Sequence, residues 1–195
     1  MILLNASGLY GGLFSGFWTP VLVVLMVVSG YADDDPSSTG PIREIRAGVI
    51  GHDVDGLWSG DSKEKGPDLG LEVLFNRALF HLFCAAAYPN AGISLNTRGD
   101  TSRAYGGVLL RWEPDSAFFF SAGLGLALHN GKRDTDTADR KSLGAQVLFR
   151  IPIEIGYAFN RRHRLMVVFD HLSNAYLASP NEGMDNLGLV YGYRF

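Results

Sequence analysis

Residues Leu143 to Tyr157 read LGAQVLFRIPIEIGY, and this stretch decides the class of fold. From Ala145 onward nearly every second side chain is apolar, and Arg150 and Glu154 stand among the positions between them. Alternation with a period of two is typical of a β-strand, because successive side chains point to opposite faces of the sheet. A soluble sandwich would bury the apolar face, whereas an outer-membrane barrel would turn it to lipid and line its interior with the polar face.

Five other segments repeat the alternation, at residues 69–75, 104–112, 118–128, 165–170 and 187–195. Their opposing faces collect glycine and charges of both signs. With the first stretch included, these charged residues are Glu72, Arg111, Arg150, Glu154, Asp170 and Arg194. A soluble core would not hold so many charges, but a narrow barrel interior can pair them, since a buried charge needs a partner.

We therefore predict an all-β protein, an eight-stranded antiparallel transmembrane β-barrel over residues 43–195. Closure removes the strand edges that lipid would not tolerate. The predicted strands are about 44–52, 68–76, 90–97, 103–113, 117–129, 142–158, 163–173 and 185–195. Residues 77–89 are ambiguous and either extend the third strand or form a short apolar turn segment. Short turns at 113–116 and 160–162 predict the periplasmic side, and long charged segments at 53–67 and 130–141 predict the outer side.

The N-terminus is typical of an export signal. Residues 21–28 are an apolar run, and the small residues before Asp33 fit a cleavage site, so residues 1–32 are predicted to be a signal peptide. Residues 33–42 are predicted to be a flexible acidic segment. No Lys or Arg precedes Arg43, so the usual basic start is missing, and an uncleaved anchor is the alternative.

Composition excludes several classes of function. A net charge of −3 gives no electrostatic footprint for nucleic acid. Cys84 is the one cysteine, which excludes a disulfide within the chain. No spacing of residues is typical of metal ligands, so we expect neither a metal nor another cofactor.

The C-terminal quarter carries the candidate chemistry. His171 and Ser173 are two residues apart on a predicted strand, so both side chains leave its outer face. Asp185 shares the parity of the outward residues of the last strand. A serine becomes nucleophilic when a base takes its proton, and a carboxylate can orient that base. The residues alone leave open a second interpretation, a rim of hydrogen-bonding side chains at a strand end.

Three pieces of this region resemble the end of the lipid A 3-O-deacylases of the PagL family. They are residues 171–175 (HLSNA), 180–185 (PNEGMD) and 191–195 (YGYRF). Residues 48–53 and 96–102 are also similar to relatives of that family. The resemblance implies an eight-stranded barrel in the outer membrane of a Gram-negative bacterium. It implies a serine esterase that removes the acyl chain ester-linked at position 3 of lipid A through an acyl-enzyme, with lipopolysaccharide as the substrate.

The resemblance also implies roles for residues. Ser173 matches the nucleophile and His171 the base, while Asn174 and Asn181 match oxyanion donors or positioning groups. The family's acid is a glutamate, and the matching position here holds Asp185, which is one methylene shorter. Glu182, three residues earlier, is the alternative acid.

Two other functions remain open beside the esterase. One is a non-enzymatic small outer-membrane barrel whose long loops bind partners, and the other is a lipid A acyltransferase that passes the chain from the acyl-enzyme to another acceptor. A homodimer is also possible.

Overall fold

The structure is a computed structural model that describes residues 40–195. The predicted signal peptide at 1–32 and most of the predicted acidic segment at 33–42 lie outside the described residues. Strand structure begins at Ile42.

Nine antiparallel strands form the described part of the chain. They are β1 (Ile42–Gly51), β2 (Pro67–Phe75), β3 (Phe80–Leu82), β4 (Ala85–Asn96), β5 (Arg103–Trp112), β6 (Phe118–His129), β7 (Val147–Ala158), β8 (His163–Ser173) and β9 (Met184–Arg194). From β4 to β9 each strand pairs with the next one along the chain, and β1 pairs with β2. The ring closes because β1 also pairs with β9 and β2 pairs with β4, which leaves out β3. The sheet therefore closes through eight strands, which confirms the predicted barrel. The short β3 lies outside this ring and pairs only with the start of β4.

Two predicted strand starts differ from the structure. The ambiguous segment 77–89 divides in two. Residues 85–89 extend the third predicted strand, because β4 begins at Ala85 rather than near residue 90, and the residues before them contain β3, which forms a short hairpin with β4. The strand predicted from 142 begins at Val147. Gly144 has a φ of +75°, a left-handed conformation that interrupts a strand, and residues 143–144 pair with the loop residues Lys132 and Arg133 instead.

Ion pairs fill the barrel interior. Arg46 donates hydrogen bonds to Glu44 and Glu72 at 2.7 Å and to Glu154 at 3.0 Å. Arg111 reaches two of the same carboxylates, Glu44 at 3.0 Å and Glu154 at 3.1 Å. All of these side chains are buried. The predicted pairing of interior charges is confirmed, and it satisfies the requirement that each buried charge has a partner.

The outer surface of the barrel is apolar. Large exposed side chains recur at alternate positions, including Leu69, Leu71, Leu124, Leu126, Leu128, Ile155, Val167 and Leu189. The sequence placed these side chains on the outer face, and the structure confirms it. Within residues 40–195 no helix is long and apolar enough to cross a membrane.

The two ends of the barrel differ. At one end, which we call the loop end, lie the connections 52–66, 97–102, 130–146 and 174–183; the connections at the other end include 113–117 and 159–162. Beneath the loop end is a buried apolar cluster of Ala127, Leu143, Leu148, Leu172 and Met184. Leu172 and Met184 point into this cluster, so their neighbours His171 and Asp185 are turned to the outer face.

Candidate active site

His171 and Asp185 face each other on neighbouring strands. They are directly paired residues of β8 and β9, and the His171 Nδ1 to Asp185 Oδ1 distance is 2.7 Å. A carboxylate only accepts hydrogen bonds, so Nδ1 carries the proton of this contact. The other ring nitrogen, Nε2, is therefore left with its lone pair free to accept a proton from a third group.

Ser173 lies at the end of β8 on the same outer face as His171 and is partly exposed. Among the described residues its hydroxyl makes no hydrogen bond to His171 or to another side chain. Side chains two residues apart on a strand leave the same face, so Ser173 and His171 are neighbours on the outer face of β8. Hydrogen bonds between reacting side chains are often long without substrate and tighten in the complex.

Glu182, the alternative acid, is hydrogen-bonded to groups other than His171. Its carboxylate accepts hydrogen bonds from Lys63 Nζ at 2.5 Å and from the backbone N–H of Ser142 at 2.7 Å. Burial alone would raise the pKa of Glu182, but these hydrogen bonds outweigh it and leave the pKa below its usual value. Of the two candidate acids, the structure places Asp185 against the imidazole.

Asn174 and Asn181 hold the 174–183 loop together. The backbone N–H of Asn174 donates to Asn181 Oδ1 at 2.9 Å. The side-chain amide of Asn174 donates to the carbonyl oxygens of Leu143 at 3.0 Å and Pro180 at 2.8 Å. The donors of Asn174 are thus occupied, whereas the Nδ2 group of Asn181 has no acceptor among the described residues.

A tight turn follows Ser173. Leu177 N–H donates to the Asn174 carbonyl at 3.0 Å, and the two central residues, Ala175 and Tyr176, have φ values of 51° and 60°. Left-handed conformations are uncommon for residues with a side chain and cluster at functional sites. The turn leaves Tyr176 and Leu177 exposed beside the site, at 87% and 79%.

Sequence reasoning missed a third element of the site, the loop 52–66, which we call loop 1. The indole ring of Trp58 stacks on the His171 imidazole, with ring centroids 4.2 Å apart and an interplanar angle of 16°. Ser59 Oγ donates to Asp185 Oδ1 at 2.9 Å, and the backbone N–H groups of Trp58 and Ser59 both donate to Asp185 Oδ2. Gly56 and Gly60 mark a turn in the sequence, but nothing local indicates which strand ends that turn covers.

Buried ion pairs hold the base of loop 1. His52 lies 3.1 Å from Glu64 and 3.0 Å from Asp68. Burial disfavours the charged imidazole, but the hydrogen bonds to Asp68 and Glu64 outweigh it and raise the pKa of His52 to about 9. Burial likewise opposes ionisation of Glu64, whereas hydrogen bonds from His52 and Thr101 lower its pKa to about 2. Among the residues described, no group of His, Cys, Asp or Glu is arranged to hold a metal ion.

Comparison with known proteins identifies the family of this chain. The family model described as lipid A 3-O-deacylase (PagL) matches residues 88–194, which is more than half of the 195 residues. The chain belongs to the PagL family. The matched segment contains His171, Ser173 and Asp185, and it begins after loop 1 has ended.

One relative and two solved structures are similar to this chain. The lipid A deacylase PagL of Bordetella bronchiseptica is 30% identical over 87 residues, which cover 45% of this chain and 47% of that protein. The chain thus spans about half the length of this curated relative. A solved structure titled "Crystal structure of the outer membrane enzyme PagL" has the same fold, with a TM-score of 0.57 and 20% identity over 78% of this chain and 99% of its own. The Yersinia pestis outer membrane protein Ail gives a TM-score of 0.46 and 11% identity over 80% of this chain and 100% of its own.

Proposed function

We propose that this PagL-family barrel is an outer-membrane serine esterase that removes the 3-O-linked acyl chain of lipid A through an acyl-enzyme. The observation that carries the proposal is the 2.7 Å hydrogen bond between His171 and Asp185, made on the outer face of the barrel beside Ser173. Family membership supports the substrate, because the matching family is described as lipid A 3-O-deacylase.

The position of the site fits a lipid substrate. The belt of exposed apolar side chains would lie in the hydrocarbon region, and the loop end would lie at the surface of the outer leaflet. The three residues His171, Ser173 and Asp185 stand where the belt meets the loops. A lipid A molecule of the outer leaflet would lie beside the apolar belt, so substrate would reach Ser173 sideways from the membrane.

Each residue has a defined part in the chemistry. Ser173 Oγ attacks the ester carbonyl carbon while His171 Nε2 takes its proton, and Asp185 stabilises the imidazolium that forms. The bond from the carbonyl carbon to the sugar oxygen then breaks, and His171 returns the proton to that oxygen. Water, deprotonated by His171, attacks the acyl-enzyme, which releases the fatty acid and restores Ser173.

Donors for the oxyanion lie in the 174–183 loop. The Nδ2 group of Asn181 is unoccupied within the described residues, and so is the backbone N–H of Ala175 in the tight turn. Donors aimed at the developing negative charge supply much of the rate enhancement in acyl transfer. Asn174, whose donors are occupied, acts as a positioning residue for Asn181.

Mass spectrometry of lipid A after incubation with the refolded barrel in detergent tests the proposal, with wild type beside Ser173→Ala. Loss of one 3-linked acyl chain by wild type, abolished in the variant, is the expected result. A newly acylated lipid in place of free fatty acid would establish the acyltransferase instead. Unchanged lipid A with folded wild-type protein would leave the non-enzymatic barrel as the function.

A further inference from the structure

Trp58 and Ser59, at the tip of loop 1, cover the pair formed by His171 and Asp185. We propose that both are positioning residues, which hold the Asp185 carboxylate and the His171 ring in the arrangement that the reaction requires. The proposal rests on the esterase function proposed above. Both residues precede the segment that the family model matches.

The first support is the set of donors around Asp185. One carboxylate oxygen, Oδ2, accepts the backbone N–H groups of Trp58 and Ser59, the latter at 2.5 Å. The other oxygen, Oδ1, accepts from His171 Nδ1 and from Ser59 Oγ at 2.9 Å. The side chain is fully buried. Because donors fix both oxygens, the carboxylate cannot rotate away from the imidazole.

The second support is the contact between the two rings. The indole of Trp58 lies nearly parallel to the His171 imidazole, 4.2 Å between centroids, and so covers one face of it. A stacked ring limits rotation of the imidazole and keeps water from that face. Trp58 itself is 52% exposed, so the indole forms the outer wall of the site rather than part of the core.

The third support is that loop 1 is held in shape before it meets the site. At its tip, Gly56 N–H donates to the Gly60 carbonyl at 3.1 Å, and both glycines have positive φ, at 72° and 76°. At its base, Asp53 Oδ2 accepts the N–H groups of Lys63 at 2.7 Å and Glu64 at 3.0 Å. A loop whose conformation is fixed loses little entropy when it positions another group.

The loop is also joined to the strand that carries the acid. Val54 N–H donates to the backbone carbonyl of Asp185 at 2.8 Å, and Asp53 N–H donates to Asn186 Oδ1 at 3.3 Å. Space is tight on this side, since a Cβ atom placed on Gly183 would lie 2.9 Å from Ser59 Oγ. These bonds hold loop 1 against β9, so Trp58 and Ser59 have a defined position beside His171 and Asp185.

Kinetics of lipid A hydrolysis by three serine variants test the proposal. Ser59→Ala is expected to lower kcat about tenfold with KM unchanged, because a hydrogen bond to a carboxylate that matters in the transition state is lost. Ser59→Thr keeps the hydroxyl and should restore kcat to within about twofold of wild type. Ser62→Ala makes the same change in the same loop, away from Asp185, and should leave both constants unchanged.

Equal kcat values for Ser59→Ala and Ser62→Ala would overturn the proposal. So would a raised KM with unchanged kcat, because that result would make Ser59 a residue that contacts the lipid.

A spectroscopic measurement separates this proposal from the esterase function. In protein labelled with ¹⁵N-histidine, the Nδ1–H signal of His171, assigned by its absence in His171→Gln, reports the hydrogen bond to Asp185. It should shift or broaden in Ser59→Ala and in Trp58→Ala and stay unchanged in Ser62→Ala. Such a result without any lipid A hydrolysis by wild type would overturn the esterase and keep the positioning role. An unchanged signal in all three variants would overturn the positioning role whatever the activity.

Discussion

Replacing Asp185 by Asn tests the proposed role of the pair formed by His171 and Asp185 most directly, because it keeps the size of the side chain and removes the charge. The carboxylate accepts two backbone N–H groups on one oxygen and His171 with Ser59 Oγ on the other. An asparagine offers one oxygen and one NH₂ group, so it cannot accept on both sides. Its orientation then decides the result.

We expect the side-chain oxygen of the asparagine to face the backbone N–H groups of Trp58 and Ser59 in loop 1. Two fixed backbone N–H groups would otherwise face an NH₂ group, and each buried donor left without an acceptor costs about 1–3 kcal/mol. Ser59 Oγ, by contrast, can rotate its proton away. The NH₂ group therefore turns toward His171 Nδ1, which must then act as acceptor, and Nε2 becomes the protonated nitrogen. In that tautomer His171 cannot take the proton of Ser173.

We expect Asp185→Asn to lower kcat by about 10³- to 10⁴-fold, the loss associated with the wrong histidine tautomer in a triad. The assay is release of fatty acid from lipid A by the refolded barrel, with folding checked by circular dichroism. Asp61→Asn, an exposed position of the same loop, is the matched control and should keep wild-type kcat. A loss below about tenfold in Asp185→Asn would refute the reasoning.

Three further predictions concern stability, pH and the oxyanion. Arg46→Met leaves three interior carboxylates with one cation fewer and should lower the free energy of unfolding by about 3–5 kcal/mol. Urea titrations in detergent measure this, and the control Arg161→Met, at an exposed position, should change the free energy little. The pKa of His52 is raised to about 9, so its contribution to stability is complete below the ordinary value of 6.5 and is lost as pH rises from there to about 9. Over this interval the free energy of unfolding of wild type should fall more steeply with pH than that of His52→Gln. Asn181→Ala should lower kcat about 10²-fold, because the proposed oxyanion donor is lost. Glu182→Gln should keep kcat within about tenfold of wild type, since Glu182 is hydrogen-bonded to Lys63 and Ser142 rather than to His171. Equal losses of kcat in these two variants would contradict the assignment of Asn181 as the donor.

The barrel was predictable because its signal is local. Alternation in each strand fixes which side chains share a face, and interior charges such as Arg111 and Glu154 could be assigned to the lumen from parity alone. Two strand starts, those of β4 and β7, differ from the prediction. β7 starts later than predicted because Gly144 has a left-handed φ and its N–H donates to the Arg133 carbonyl, a contact within the loop that the alternation does not indicate.

The candidate site was predictable in part for the same reason. His171 and Ser173 share a strand face by their spacing, and the register of β8 on β9 brings Asp185 directly opposite His171. Sequence left Glu182 as a competing acid, and only the fold shows that this carboxylate lies against Lys63 and Ser142.

The sequence alone predicted the eight strands of the ring, the two faces of the barrel and the outward direction of His171, Ser173 and Asp185, but not every strand start. These properties depend on the two-residue period of a strand, which is visible within a short stretch of its sequence. The contacts of Trp58 and Ser59 with the pair formed by His171 and Asp185 depend on the tertiary structure. Ser59 and His171 are 112 residues apart, and they meet because closure of the barrel through β1 and β9 brings loop 1 beside the end of β8. Contacts of that kind depend on register and closure of the whole sheet, which no local pattern of residues encodes.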